Sequence, residues 1–283
     1  MTSTSAASLR ENPTAADVLV RPEWLAEHLH DPDLRVIEVD VSPAAYVKGH
    51  IDGAVLWNVY QDLKDPDYRT VGRPAVQELL ERSGVEEGST VVFYGYAPAM
   101  GFWLMKLYGH ADVRILDCDR RSWAEADLPW TEVAAAPVAT RYRLPGRRDT
   151  IRAGHALVRD AIGDAAWTIA DVRTDSEFRG ERFWPSGGLE PGGRAGHVPS
   201  ALNLSVEGIY DEHGSFRTPG ELRELFAACD PANTTTVITY CTIGGRASTA
   251  WFVLTYLLGR DNVRVYDGSW AEWGMLPTAP VAT

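Results

Sequence analysis

One cysteine stands in a setting that could do chemistry. Cys241 follows the β-branched and aromatic run Val237-Ile-Thr-Tyr240 and opens the segment Cys241-Thr242-Ile243-Gly244-Gly245-Arg246. From Thr249 to Leu258 apolar residues then recur at helical spacing, closed by Gly259. The pattern predicts a strand, a tight turn and a helix. It places the thiol at the carboxyl end of the strand, where Gly244 and Gly245 let backbone N–H groups curl inward ahead of a helix N-terminus. Such a cradle favours a negative charge, and Arg246 adds a fixed positive one. The thiol should therefore lose its proton easily and act as a nucleophile. The alternative is a small buried hydrophobe, the usual state of a free cysteine. Cys118, between Asp117 and Asp119, is a poor nucleophile because both acids oppose its ionisation, and Cys229 reads as packing near a helix end.

The elements that must position Cys241 occur twice. Pro22–Leu29 reads as a short helix, Leu34–Asp40 as a buried strand, Ala75–Ser83 as a helix, Thr90–Tyr94 as a strand, Met100–Tyr108 as a helix and Val113–Asp117 as a strand. The second half repeats them: Trp167–Asp171 answers Val36–Asp40, Gly196-His197 answers Gly49-His50, and Val237–Tyr240 answers Val91–Tyr94. Val263–Asp267 with Ser269-Trp-Ala-Glu272 likewise answers Val113–Asp117 with Ser122-Trp-Ala-Glu125. His50 lies 45 positions before Gly95, and His197 lies 44 before Cys241. Strand and helix alternation predicts parallel sheets covered on both faces. Gly95 stands where Cys241 does, and only 14 positions separate it from Gly109, against 18 from Cys241 to Gly259. The first half thus lacks the thiol and part of the cradle and is expected to wall the cleft only. The expected organisation is an N-terminal domain over 17–135, an extended Pro-rich linker over 136–150 and a C-terminal domain over 151–283.

Bulk properties narrow the partners. A hydrophobic content of 45% with ten tryptophans supports packed cores, and a net charge of −12 disfavours nucleic acid or an anionic membrane as the main partner. The three cysteines have no Cys-x-x-Cys spacing, so neither a disulfide framework nor a metal site is expected, and no cofactor is implied. No basic start leads into an apolar run and no apolar stretch is long enough to span a bilayer. The expectation is a soluble, cytoplasmic protein with a frayed N-terminal tail of roughly fifteen residues.

In this order and spacing, Gly49-His50-Ile-Asp-Gly-Ala, Gly196-His197-Val-Pro-Ser-Ala, the Cys241 loop and Tyr266-Asp-Gly-Ser-Trp-Ala-Glu-Trp273 resemble the tandem-domain rhodanese family, the thiosulfate and 3-mercaptopyruvate sulfurtransferases. The resemblance implies an α/β fold of two tandem rhodanese-like domains, each a parallel sheet flanked by helices on both faces. It also implies an inactive first domain and a second whose six-residue loop, Cys241 to Arg246, carries the catalytic cysteine and binds substrate. Related phosphatases use a loop one residue longer, so this one suits a sulfur atom better than a phosphate. The implied reaction moves sulfane sulfur from a small anionic donor to cyanide, a dithiol or a carrier protein through a Cys241 persulfide.

The donor is less defined. Thr242 and Ile243 replace the basic residues usual in thiosulfate enzymes, and Ile243 also replaces the serine of the mercaptopyruvate type. A family arginine that contacts substrate aligns with Glu177, leaving Arg179, Arg182 and Arg194 as substitutes. Thiosulfate is preferred because Arg246 supplies a charge for the sulfonate; mercaptopyruvate, a sulfur-relay module and a small-anion phosphatase remain as alternatives. Asp171 and Arg173 resemble a pair that braces the loops, and His50 and His197 read as a repeated structural feature. Trp184, Trp270 and Trp273 are expected around the cleft, and the Gly-rich run 181–194 is either a lid or a surface loop.

Overall fold

The computed structural model describes residues 15–229 and 235–283, so the N-terminal tail expected to fray falls outside the described residues. The N-terminal half contributes β1 (Leu19–Val20), β2 (Leu34–Asp40), β3 (His50–Ile51), β4 (Val55–Asn58), β5 (Thr90–Gly95), β6 (Val113–Leu116) and β7 (Trp130–Thr131). The C-terminal half contributes β8 (Arg152–Ala153), β9 (Trp167–Asp171), β10 (Leu202–Asn203), β11 (Thr236–Tyr240) and β12 (Val263–Tyr266). One sheet runs β1-β6-β5-β2-β4 and the other β10-β9-β11-β12-β8, with every pairing inside them parallel. Helices flank both, as in other α/β folds. The central strands are mostly buried because both of their faces are covered: in β11, Val237 enters one core and Ile238 and Tyr240 another.

Strand register corrects the internal alignment by two residues. Tyr94 pairs with Glu38 and Tyr240 with Asp171, so Glu38, not Asp40, is the counterpart of Asp171. Both tyrosine hydroxyls accept a backbone N–H from the His turn, Ile51 in one half and Val198 in the other, at 3.1 Å. His50 and His197 do the same job twice. Each ring stacks on an aromatic neighbour at 3.7 Å, Tyr46 or Phe178, and donates through Nδ1 to that residue's carbonyl.

The two halves share one hydrophobic core across their seam. The Pro98–Leu107 helix packs on the Gly245–Phe252 helix, which widens into a π-type turn over Val253–Leu257. Phe102, fully buried, meets Phe252 and Tyr256 edge-on at 4.9 and 5.1 Å. The connecting segment 134–148 has no helix or strand, yet Tyr142 and Leu144 are buried and the Tyr142 hydroxyl lies 2.6 Å from His110 Nδ1. It is fastened to the first domain, not free. No helix among the described residues is long and apolar enough to cross a membrane. Truncating the seam at Phe102→Ala should cost about 3–5 kcal/mol, the range for a buried Phe, read as a lower urea midpoint; a loss under about 1 kcal/mol would mean that the seam carries little of the fold's stability.

Candidate active site

Cys241 leaves β11 at its carboxyl end and is almost wholly buried. Its Sγ accepts the Gly244 N–H at 3.1 Å. Gly244 can make that turn because it takes φ +95°, and an added Cβ would lie 2.9 Å from the Asp267 carbonyl. Among the described residues no protein acceptor takes the N–H groups of Ile243, Gly245 or Arg246, the orphan donors of a helix start. From below, the Ser269–Trp273 helix braces the loop: Trp270 N–H donates to the Cys241 carbonyl at 2.9 Å and Ala271 N–H to the Thr242 carbonyl at 2.8 Å. Ser269 Oγ accepts the Cys241 N–H at 3.1 Å.

Arg246 is not a free charge. Nη1 and Nη2 grip the two oxygens of Glu177, each at 2.8 Å, and Nη2 also reaches Thr242 Oγ1 at 2.7 Å. Thr242 Oγ1 in turn donates to Glu177 Oε1 at 2.8 Å. Burial alone would raise the Glu177 carboxyl, but the Arg246 hydrogen bonds and charge, helped by Thr242 and Thr174, hold it down at about 2. The Arg246 charge expected to meet a sulfonate is thus already paired with a buried carboxylate.

A cavity of about 460 Å³ opens over the loop at the domain seam. The C-terminal domain lines it with Cys241, Thr242, Ile243, Gly245 and Arg246, and the segment 184–186 adds Trp184, Pro185 and Ser186. The N-terminal domain contributes Val41, Val59, Tyr60, Tyr96, Ala97 and Met100. Tyr210 and Val206 close the remaining side. The surface is mainly aromatic and aliphatic, with Ser186, Thr242 and Thr249 adding hydroxyls and Arg246, paired to Glu177, the one cation among the described residues that line it.

Comparison with known proteins follows the same outline. A family model, the rhodanese-like domain, matches residues 21–126 and again 155–276. The chain belongs to the rhodanese family. A putative thiosulfate sulfurtransferase of Haloferax volcanii is 39% identical, over 94% of this chain and 96% of its own. The sulfur carrier protein TtuD of Thermus thermophilus is 38% identical over the same shares, and a thiosulfate sulfurtransferase of Corynebacterium glutamicum is 38% identical over 94% of this chain and 90% of its own. Among solved structures, YnjE superposes with a TM-score of 0.81 at 24% identity, covering 97% of this chain and 70% of that one. An anaerobic ergothioneine biosynthesis enzyme from Chlorobium limicola, in complex with trimethyl histidine, gives 0.79 at 24% identity over 94% and 70%. The relatives' names support sulfur transfer by the rhodanese fold.

Within this rhodanese the loop residues Cys241, Thr242, Ile243, Gly244, Gly245 and Arg246 come together, but Arg179 and Arg182 are not part of the cavity lining. Arg179 is mostly exposed and pairs with Asp175 and Glu181, while Arg182 donates to Thr174 Oγ1 and the Pro185 carbonyl. Arg194 ties down the C-terminal segment through the Ala279 carbonyl. Of the three tryptophans expected at the cleft only Trp184 lines it; Trp270 and Trp273 are buried in the core. Burial, with Asp119 and Asp117, pushes the Cys118 thiol up to about 12, the direction its neighbours implied. Sequence reading missed Glu177 as the clamp, the tyrosines of the wall, and Lys64, whose Nζ donates to the Asp267 carbonyl at 2.7 Å.

The clamp gives a signed pH dependence. Because the Glu177 carboxyl is held at about 2 against an ordinary 4.5, its contribution to stability is complete above about pH 4.5 and is lost as pH falls toward 2. That contribution is on the order of 3 kcal/mol. Glu177→Gln, which strands the Arg246 charge, should lower stability at pH 7 by about 3–5 kcal/mol. Urea unfolding at pH 7, 5 and 3 should show the gap to wild type narrowing only at the lowest pH; a constant gap would remove the carboxylate from the account.

Proposed function

We propose that the chain is a thiosulfate sulfurtransferase that carries sulfane sulfur as a persulfide on Cys241. The observation that carries this reading is the Cys241 sulfur at the floor of the seam cavity, hydrogen-bonded to Gly244 N–H and set beside the unpaired amides of Ile243, Gly245 and Arg246. The thiolate attacks the outer sulfur of thiosulfate, the S–S bond breaks, and sulfite leaves with the electron pair. The terminal persulfide sulfur, which inherits the negative charge, then occupies the space the amides face. A thiolate acceptor attacks that sulfur and returns Cys241 as the thiolate, so the kinetics are ping-pong. The relatives' names support thiosulfate as donor, and the amides take over the anion-binding role that the neutralised Arg246 cannot fill.

A second reading, a sulfur relay to a partner protein or an organic thiol, is favoured by the size and aromatic lining of the cavity, far more than a small inorganic anion needs. The name of the Thermus relative supports it too. Mercaptopyruvate as donor has no comparable support, and a faster steady-state rate with it than with thiosulfate at equal concentration would reverse that ranking.

Intact-protein mass spectrometry after exposure to thiosulfate should show a gain of one sulfur atom, removed by cyanide and absent in Cys241→Ala. No gain in the wild-type chain from any sulfur donor ends the persulfide reading. Slow loading by thiosulfate beside fast loading by a protein persulfide selects the relay.

A further inference from the structure

The N-terminal domain supplies a charge as well as a wall. Lys64 stands at the start of a hairpin that bridges back to Thr70 and docks on the C-terminal domain: Thr70 N–H donates to Asp267 Oδ2 at 2.8 Å. The Lys64 side chain is buried, with 6% of its surface exposed. Its Nζ donates to the Asp267 backbone carbonyl, a neutral group. The Asp267 carboxylate is instead engaged by Arg152 Nε at 2.8 Å, and among the described residues no carboxylate lies within ion-pair distance of Nζ. A buried ammonium without an anion is costly. On its inner side lies Gly244, the residue whose N–H reaches the Cys241 sulfur; a Cβ there would sit 3.2 Å from Nζ.

We propose that Lys64 is a positioning residue for the reactive sulfur: its ammonium, delivered across the seam by the domain that has Gly95 in place of Cys241, is the counter-charge of Cys241 and of the persulfide formed on it. Gly244 is what lets the two approach. The other charged or titratable groups facing Lys64 are Asp267, Asp65 and Arg152; those facing Cys241 are Arg246, which Glu177 neutralises, and the hydroxyls of Tyr60 and Tyr96. Burial pulls the lysine below its usual range while Asp267 and the Cys241 sulfur oppose that pull, so the two charges support each other. The proposal needs Cys241 to be the reactive group but no particular donor.

Alkylation of Cys241 by iodoacetamide, followed by peptide mass spectrometry across pH 6 to 10, tests it without any sulfur donor. Lys64→Gln keeps an N–H for the Asp267 carbonyl but loses the charge. Its Cys241 should react at least fivefold more slowly at about pH 7 than wild type, with the gap closing near pH 10, and Lys64→Arg should recover most of the rate. Equal wild-type and Lys64→Gln rates at pH 7, with unchanged thermal midpoints, overturn the proposal. Should Lys64→Gln fail to fold, the reciprocal measurement decides within the wild-type chain. Converting Cys241 to its neutral carbamidomethyl form should move the titration of the buried lysine, followed by 13Cε shift, to lower pH, and no movement refutes the pairing. Failure here leaves persulfide loading to its own measurement, and failure of loading leaves this one intact.

Discussion

A single buried carboxylate holds the reactive loop in shape. Glu177 is the third residue of a four-residue helix, Asp175–Phe178, where it closes a capping box with Thr174. The same two oxygens take Thr242 Oγ1 and both arms of Arg246. Helix start and loop are thus fastened by one side chain. A turn with two glycines would otherwise be costly to order, and the fork removes that freedom from its far end while the Ser269–Trp273 helix holds the near end through two carbonyls. What remains undirected is the row of amides between those anchors, and those are the groups left to meet a ligand.

The duplicated halves keep the same internal tie and build it differently. In the C-terminal domain Arg173, two residues beyond Asp171, grips that acid and donates to the Gly196 carbonyl at 2.7 Å. In the N-terminal domain Arg120, from the helix after β6, takes the corresponding place between Glu38 and the Gly49 carbonyl. Sourcing the guanidinium from another element leaves the tie between strand and turn intact, so each domain is a complete fold. Divergence is concentrated at the next position, where Gly95 has φ +103° and a side chain would meet Glu38 and Val39 at 2.9 Å. The first domain cannot regain a thiol there without moving its own strand; its Tyr60 and Tyr96 instead line the cavity over the loop of the second, and its Lys64 donates to the Asp267 carbonyl.

What the sequence disclosed was local. Short buried strands between glycine-ended helices made the repeat visible, and strand, Cys241, glycines and helix lie within about twenty consecutive residues, so the loop could be drawn from propensity and backbone freedom alone. Glu177 and Lys64 lie 69 and 203 positions from their partners Arg246 and Asp267, and no local pattern encodes such a meeting. Trp270 and Trp273 misled for the opposite reason. Their helix does lie against the loop, but it turns its first amides to the loop and its indoles into the core. The two-residue shift between Asp40 and Glu38 has a similar origin, because a buried acid at a strand end is recognised by type while its register is set by a tyrosine on the adjacent strand.

The proposed half-reactions ask opposite things of one cavity. A thiosulfate dianion needs donors more than space, and the side-chain charge nearest the opening is neutralised by Glu177, so its attraction must come from the loop amides and from charge set behind them. Those donors lie at the floor, beside the sulfur. The volume above is lined by Tyr60, Tyr96, Tyr210 and Trp184 with aliphatic neighbours, and it offers an inorganic ion hydroxyls but, among the described residues, no unpaired charge. It does suit the apolar body of a second reactant whose own sulfur must reach the same floor. Placing anion recognition in the backbone and acceptor recognition in the walls lets the two partners use the site in turn, because sulfite departs before the larger group needs the room. The loop's unusual Thr242 and Ile243 fit that division: the threonine completes the clamp, and the isoleucine extends the apolar wall where a basic residue would have favoured the donor alone.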